Sequence, residues 1–211
     1  MEIMQKLNTM IAASLITVFF SHGEGRAAEA ISVNHTSDTV LFDGKCNDAE
    51  WQFATKLALP ANTTLYLMQN KDALFICAKG KLQDYTVIDL YIEDTQTGEL
   101  YNLHASAQLS ESVLTADNWA HPVRWNNKDW GGFWVPFAGT EETENGERTK
   151  FLKGSHREIQ ILRSKFKGDT WNMMISLSAI YQDGKYGAEF SYPDKAVNTN
   201  RATWAQFTFS D

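Results

Sequence analysis

The sequence predicts an all-β protein, an antiparallel β-sandwich with one short helical turn near residue 50. Three observations carry this. Hydrophobicity repeats mostly at period two, the spacing of residues on one face of a strand. Short alternating runs are punctuated by polar turns containing Gly, Asn or Asp. The 211 residues are 43% hydrophobic and 12% aromatic, which suffices for one core and is too apolar for wholesale disorder.

The chain opens on a stretch that reads as a targeting segment. Residues 11–20 are almost unbrokenly apolar, Lys6 precedes them, and Ala28-Glu29-Ala30 is a small-x-small cleavage site. The run is too short to span a bilayer, which takes roughly 20 apolar residues. The reading is a signal peptide over residues 1–30 and a single β-sandwich domain over residues 31–211. The product is expected to be secreted or periplasmic, with no membrane span.

Export bears on the cysteines. Cys46 and Cys77 are the only two. An oxidising compartment favours joining them, and a bridge over that loop adds roughly 3 kcal/mol on the loop-entropy model. The alternative is a pair of buried thiols. Two cysteines without a His at ligand spacing do not make a zinc site.

The elements follow in order. Residues 47–53 read as the helical turn, with Asn47 or Asp48 as its cap. Residues 64–68 and 73–77 flank Gln69-Asn70-Lys71-Asp72 as a hairpin. Residues 87–93 and 100–106 make a second hairpin around a polar turn that contains Gly98. Residues 119–134 hold four of the seven tryptophans, with Pro122 and Gly131-Gly132 as breakers, and read as a structured loop or broken strands. Further strands follow at 158–164, 171–177 and 203–209.

The second hairpin says most about function. Ile88, Leu90 and Ile92 alternate with Asp89, Tyr91 and Glu93, while Tyr101, Leu103 and Ala105 alternate with Asn102, His104 and Ser106. One face then packs into the sandwich, and the other gathers Asp89, Tyr91, Asn102 and His104. Mixed donors and acceptors beside an aromatic ring suit a polyhydroxylated ligand better than a plain solvent face would. Trp119, Trp125 and Trp130 add indole faces on which sugar rings stack, with Arg124, Asn126, Asn127 and Asp129 as hydrogen-bonding neighbours. The same tryptophans could shelter a small core, so only one or two are expected to be available.

Other chemistries find little support. A net charge of −7 with no basic run argues against a nucleic-acid partner. There is no Gly-x-Ser-x-Gly, His-Glu-x-x-His or phosphate loop, and Glu93-Asp94 and Glu141-Glu142 read as turn charges. No enzyme activity and no catalytic residue are expected. His121 and His156 lack partners at ligand spacing and read as surface residues. Calcium has candidate oxygen ligands at residues 94–99 and 141–147, but neither follows the helix-loop-helix pattern. Both stretches read as solvated acidic turns, and no metal site is assigned.

Phe42-Asp43-Gly44-Lys45-Cys46-Asn47-Asp48-Ala49-Glu50-Trp51 resembles the opening DG…D..W motif of family 9 carbohydrate-binding modules and their DOMON-like relatives. Leu74-Phe75-Ile76 is similar to the family's LY(V/I) strand, residues 88–94 to its next strand and residues 171–180 to its late strand. Tyr192-Pro193 with Thr203-Trp204-Ala205 resembles its closing segment. The likeness covers nearly all the chain after residue 30 and rests on the order and spacing of these motifs. It implies a β-sandwich, often with structural calcium. In sugar-binding members it implies a Glu contacting sugar where Asp89 stands, and an Arg and an Asn near Asn102 and His104. The family's clamp of two tryptophans on a terminal sugar has no counterpart here: Tyr85 alone lies near Gln83, and residues 197–200 hold no aromatic.

The leading reading is a secreted, non-catalytic carbohydrate-binding protein whose ligand is held by aromatic stacking and polar groups on one sheet face, with no cofactor. The alternative that the resemblance implies is a domain binding b-type haem for electron transfer. Met68, Met173, Met174 and His104 are then the axial candidates, although methionines more often pack cores.

Overall fold

The structure, a computed structural model, describes residues 30–46, 49–125, 127–132 and 137–210. Its strands are β1 (Ala30–Val33), β2 (Thr55–Leu59), β3 (Thr63–Gln69), β4 (Ala73–Lys79), β5 (Val87–Glu93), β6 (Leu100–Ala105), β7 (Leu109–Thr115), β8 (Asn118–Trp119), β9 (Val123–Arg124), β10 (Trp130–Gly132), β11 (Phe137–Thr143), β12 (Gly146–Phe151), β13 (His156–Leu162), β14 (Thr170–Gln182), β15 (Lys185–Tyr192) and β16 (Ala205–Phe209). The larger sheet runs β1-β16-β14-β5-β6-β7-β8, with β15 also on β14 and β9 also on β7. The smaller runs β10-β13-β4-β3-β2, and β11 pairs with β12. The β1–β16 pair is parallel, and the remaining ladders are antiparallel. The chain is therefore the all-β sandwich that its alternation predicts. The expected signal peptide lies outside the described residues except for Ala30, which opens β1 opposite Gln206.

The main core forms where the inward faces of the two sheets meet. Leu65, Leu67, Leu74, Ile76, Ile159 and Ile161 come from the small sheet; Ile88, Leu90, Ile92, Leu103, Met173, Ile175 and Leu177 come from the large one. Turn chemistry sets the registers. Asn70 Oδ1 accepts from the backbone N–H of Asp72 and of Ala73, closing the β3–β4 hairpin as an Asx turn. Gly98 takes φ +76° and donates its N–H to Asp94 O at 2.7 Å, turning β5 into β6.

Strand β4 is buried along nearly its whole length, because the small sheet is covered on both sides. Behind it, Trp51, Met68 and Phe75 pack around Cys46 and Cys77, whose disulfide is formed with Cα atoms 5.7 Å apart. This packing explains one difference from expectation. Residues 49–53 make turns, with Ala54 N–H donating to Trp51 O at 3.2 Å, and form no helix. Trp51, only 1% exposed, and the bridged Cys46 pin this segment flat against the sheet. The cap candidates Asn47 and Asp48 fall outside the described residues. The helical element among the described residues is a 3-10 turn at Arg201–Thr203, capped by Asn200, just before β16.

A third cluster sits on the outward face of the large sheet. Tyr91, Leu100, Met174 and Trp204 are buried there, with Leu114, Trp119 and Ala196 packed around them. The outward face is thus part polar surface and part covered apolar patch.

Candidate functional site

The β5–β6 hairpin places its residues as alternation requires. Asp89 stands directly opposite His104, and Tyr91 opposite Asn102. The pairing continues through β7 to β9: His104 faces Ser110, and Ser110 faces Arg124. In the other direction Asp89 faces Ser176 on β14, which faces Ser191 on β15. A single cross-strand row therefore reads Ser191, Ser176, Asp89, His104, Ser110, Arg124. At about 4.8 Å per strand it spans about 24 Å.

Hydrogen bonds fix the middle of that row. Asp89 Oδ1 accepts from Asn102 Nδ2 at 3.1 Å and pairs with His104 Nδ1 at 2.8 Å. His104 Nε2 lies 2.7 Å from Ser106 Oγ. Both ring nitrogens of His104 are thus engaged, so the imidazole is a fixed wall rather than a swinging donor. Burial disfavours its charge, but the Asp89 hydrogen bond and charge outweigh that, and its pKa is raised. Both bonds to Asp89 end on Oδ1.

Beside this wall is a cavity of about 260 Å3 lined by Asn102, His104, Gln108, Ser110, His121, Pro122 and Arg124. Three expected residues, Asn102, His104 and Arg124, therefore converge on one hollow. Asp89 stands behind them as the residue that orients His104 and Asn102. Gln108, Ser110 and His121 were not anticipated. The alternation Ser110, Glu111, Ser112 does place Ser110 on this face, but nothing local marks His121, which reaches the cavity through the turn between β8 and β9. A larger hollow of about 890 Å3 opens at the other end of the row, between Pro60 and the segment 189–195. Glu189 lines it and accepts from Ser176 Oγ at 2.7 Å. None of the expected binding residues lines that hollow.

Two expectations are corrected. Tyr91 is on the predicted face but is 9% exposed, under Trp119 at 5.4 Å and Trp204 at 6.4 Å between ring centroids. Burial first, and then the Asp89 charge, push its hydroxyl up to about 12. It is a packed floor, because the segment before β16 folds back and Asn198 Nδ2 donates to its hydroxyl at 3.4 Å. Trp130 is 5% exposed, part of the main core, and its indole N–H donates to Glu111 Oε2 at 3.0 Å. Strand β10 pairs with β13 in the small sheet, which points this ring inward. Trp119 is half-buried, while Trp125, at φ +59°, is 53% exposed. Asn126 and Trp134 lie outside the described residues.

The metal and haem candidates scatter. Among the described residues no group of three His, Cys, Asp or Glu is arranged to hold a metal. In the turn at 94–99, Asp94 Oδ1 accepts Gln96 N–H and Glu99 Oε2 accepts from Tyr101 Oη, while Glu141 pairs with Arg148. Met173 is in the main core, Met68 behind the small sheet and Met174 under Trp204. None of the three lines the cavity at His104, so they do not fit an axial pair with it. His156 is not a bare surface residue either: Cys46 N–H donates to its Nδ1 at 3.3 Å.

No family model matches the sequence, and no curated protein does. Among solved structures, the chain is similar to a candidate carbohydrate-binding protein from Bacteroides uniformis ATCC 8492. The TM-score is 0.56 at 8% identity, over 87% of this chain and 100% of that one. The likeness shows a shared fold, and the site's chemistry has to be argued from the residues themselves.

Proposed function

We propose that this chain is an exported, non-catalytic carbohydrate-binding protein of the family 9 module-like or DOMON-like kind. The ligand lies on the outward face of the large sheet, beside Asp89, Asn102 and His104. The observation that carries the reading is the convergence of Asn102, His104, Gln108, Ser110 and Arg124 on one cavity, with Asp89 fixing the first two. Sugars need clustered donors and acceptors on a rigid floor, and strands hold such groups more firmly than loops do. Trp125, next in sequence to the lining residue Arg124, is 53% exposed. The similar structure named for carbohydrate binding supports the same reading. The Cys46–Cys77 disulfide supports export, since such bridges persist in oxidising compartments.

The test is binding of neutral and charged oligosaccharides to the full chain, read by tryptophan fluorescence and calorimetry. Asn102→Ala and His104→Ala should each weaken binding by roughly tenfold, the scale of one or two lost hydrogen bonds, with the chain still folded. Wild-type affinity in both variants would move the site elsewhere. Absence of glycan binding in the wild-type chain would end the proposal.

A further inference from the structure

We propose that the cavity at His104 selects an anionic sugar unit, whose carboxylate or sulfate is held by Arg124 and His121. This rests on the carbohydrate-binding reading and gives it a ligand class.

The register of β9 on β7 carries the argument. Arg124 pairs with Ser110 and Val123 with Glu111, while Trp125 N–H donates to Leu109 O at 2.8 Å. Arg124 therefore sits on the His104 face of the sheet, and Glu111 sits on the opposite face. There Glu111 Oε2 is 2.9 Å from Lys165 Nζ and accepts from Trp130 Nε1. The acid next to Ser110 in sequence is thus turned away and neutralised. Asp89 is one strand behind His104 and pairs with it and accepts from Asn102.

The result, among the described residues, is a cavity lined by one arginine and two histidines, with no carboxylate in its wall. In a chain of net charge −7, overall composition would favour the opposite. His121 Nδ1 donates to Pro122 O at 3.2 Å, so Nε2 is left for a ligand and donates to an anion when it too carries a proton. Gln108, Ser110 and Asn102 provide hydrogen bonds to ring hydroxyls but cannot neutralise a guanidinium. A planar carboxylate or a sulfate can, through paired N–H···O bonds. The volume of about 260 Å3 suits one sugar unit rather than a long chain segment.

Because Arg124 is exposed, the preference should be moderate and salt-sensitive, roughly tenfold at low ionic strength. The full chain is first screened on an array of neutral, uronate-containing and sulfated oligosaccharides. Oligogalacturonate is then compared with its methyl ester, and a sulfated oligosaccharide with its desulfated form, by calorimetry at one pH and salt. The expected result is tighter binding of the charged member in at least one pair, with that ratio shrinking in Arg124→Gln and in His121→Gln. Which pair shows it distinguishes carboxylate from sulfate. Equal affinity within both pairs, or a ratio untouched by both substitutions, overturns the anionic selection while leaving neutral sugar binding standing. Silence toward every glycan, charged or neutral, removes the carbohydrate reading itself.

Discussion

Asp89 and His104 face each other directly across the β5–β6 ladder, with Oδ1 and Nδ1 2.8 Å apart. The raised pKa of His104 makes this pair a pH-dependent element. A histidine whose folded pKa lies above its unfolded value, about 6.5, contributes stability that is complete below that value and lost as pH rises through the folded one. Asp89→Asn should therefore lower the His104 pKa, read from its imidazole proton shifts by NMR. The stability gap between wild type and Asp89→Asn should narrow between pH 6 and pH 8. An unchanged His104 titration in Asp89→Asn would show that the carboxylate does not govern the ring.

The tryptophans separate into folding and surface residues. Trp130, buried in the main core, should cost roughly 3–5 kcal/mol when replaced by Ala. Trp125, 53% exposed, should cost less than Trp130 and reduce glycan-induced fluorescence quenching. Urea titrations of both variants, paired with glycan binding, check this. Equal stability losses would contradict the assignment of Trp125 to the surface.

Glu158 predicts a second pH effect, far from the sugar face. It is fully buried; Gly44 N–H donates to its Oε2 at 2.8 Å, and Oε1 has no partner among the described residues. Burial pushes the carboxyl up to about 7, against the Gly44 bond and with help from the Glu50 charge. Between its ordinary value of 4.5 and about 7 the folded chain holds a proton that the unfolded chain has lost, so stability falls as pH rises through that window. Glu158→Gln should flatten this decline, as measured by urea midpoints at pH 5 and pH 8. A parallel decline in both proteins would place its cause elsewhere.

The Cys46–Cys77 bridge holds the segment carrying Trp51 against the small sheet. Reducing it should cost roughly 3 kcal/mol and expose the second core before the first. Thiol labelling of native chain should find neither cysteine until reductant is added, and two readily labelled thiols would contradict the bridge.

Much of the fold was legible because strand alternation is a local property. The two hairpins, the apolar and polar faces of residues 87–106, and the Cys46–Cys77 pair follow from residues close in sequence or unique in type. The expected helix near residue 50 failed because Trp51 gains more from burial against Met68 and Phe75 than the segment gains from helical hydrogen bonds. Tyr91 was placed on the right face, yet its cover comes from Trp204, more than a hundred residues later. Nothing near Tyr91 could announce that.

By itself the sequence determined which side of each strand it identified a residue occupies, because side chains alternate wherever a strand forms. It thereby selected Asp89, Asn102 and His104 together. Only the tertiary structure decided which of those faces stays open and what else reaches it. The β7–β9 pairing brings Arg124 and His121 to His104, the β10–β13 pairing turns Trp130 into the core, and the segment before β16 closes over Tyr91. Each depends on contacts between segments distant in sequence, where chain closure and burial outweigh local preference.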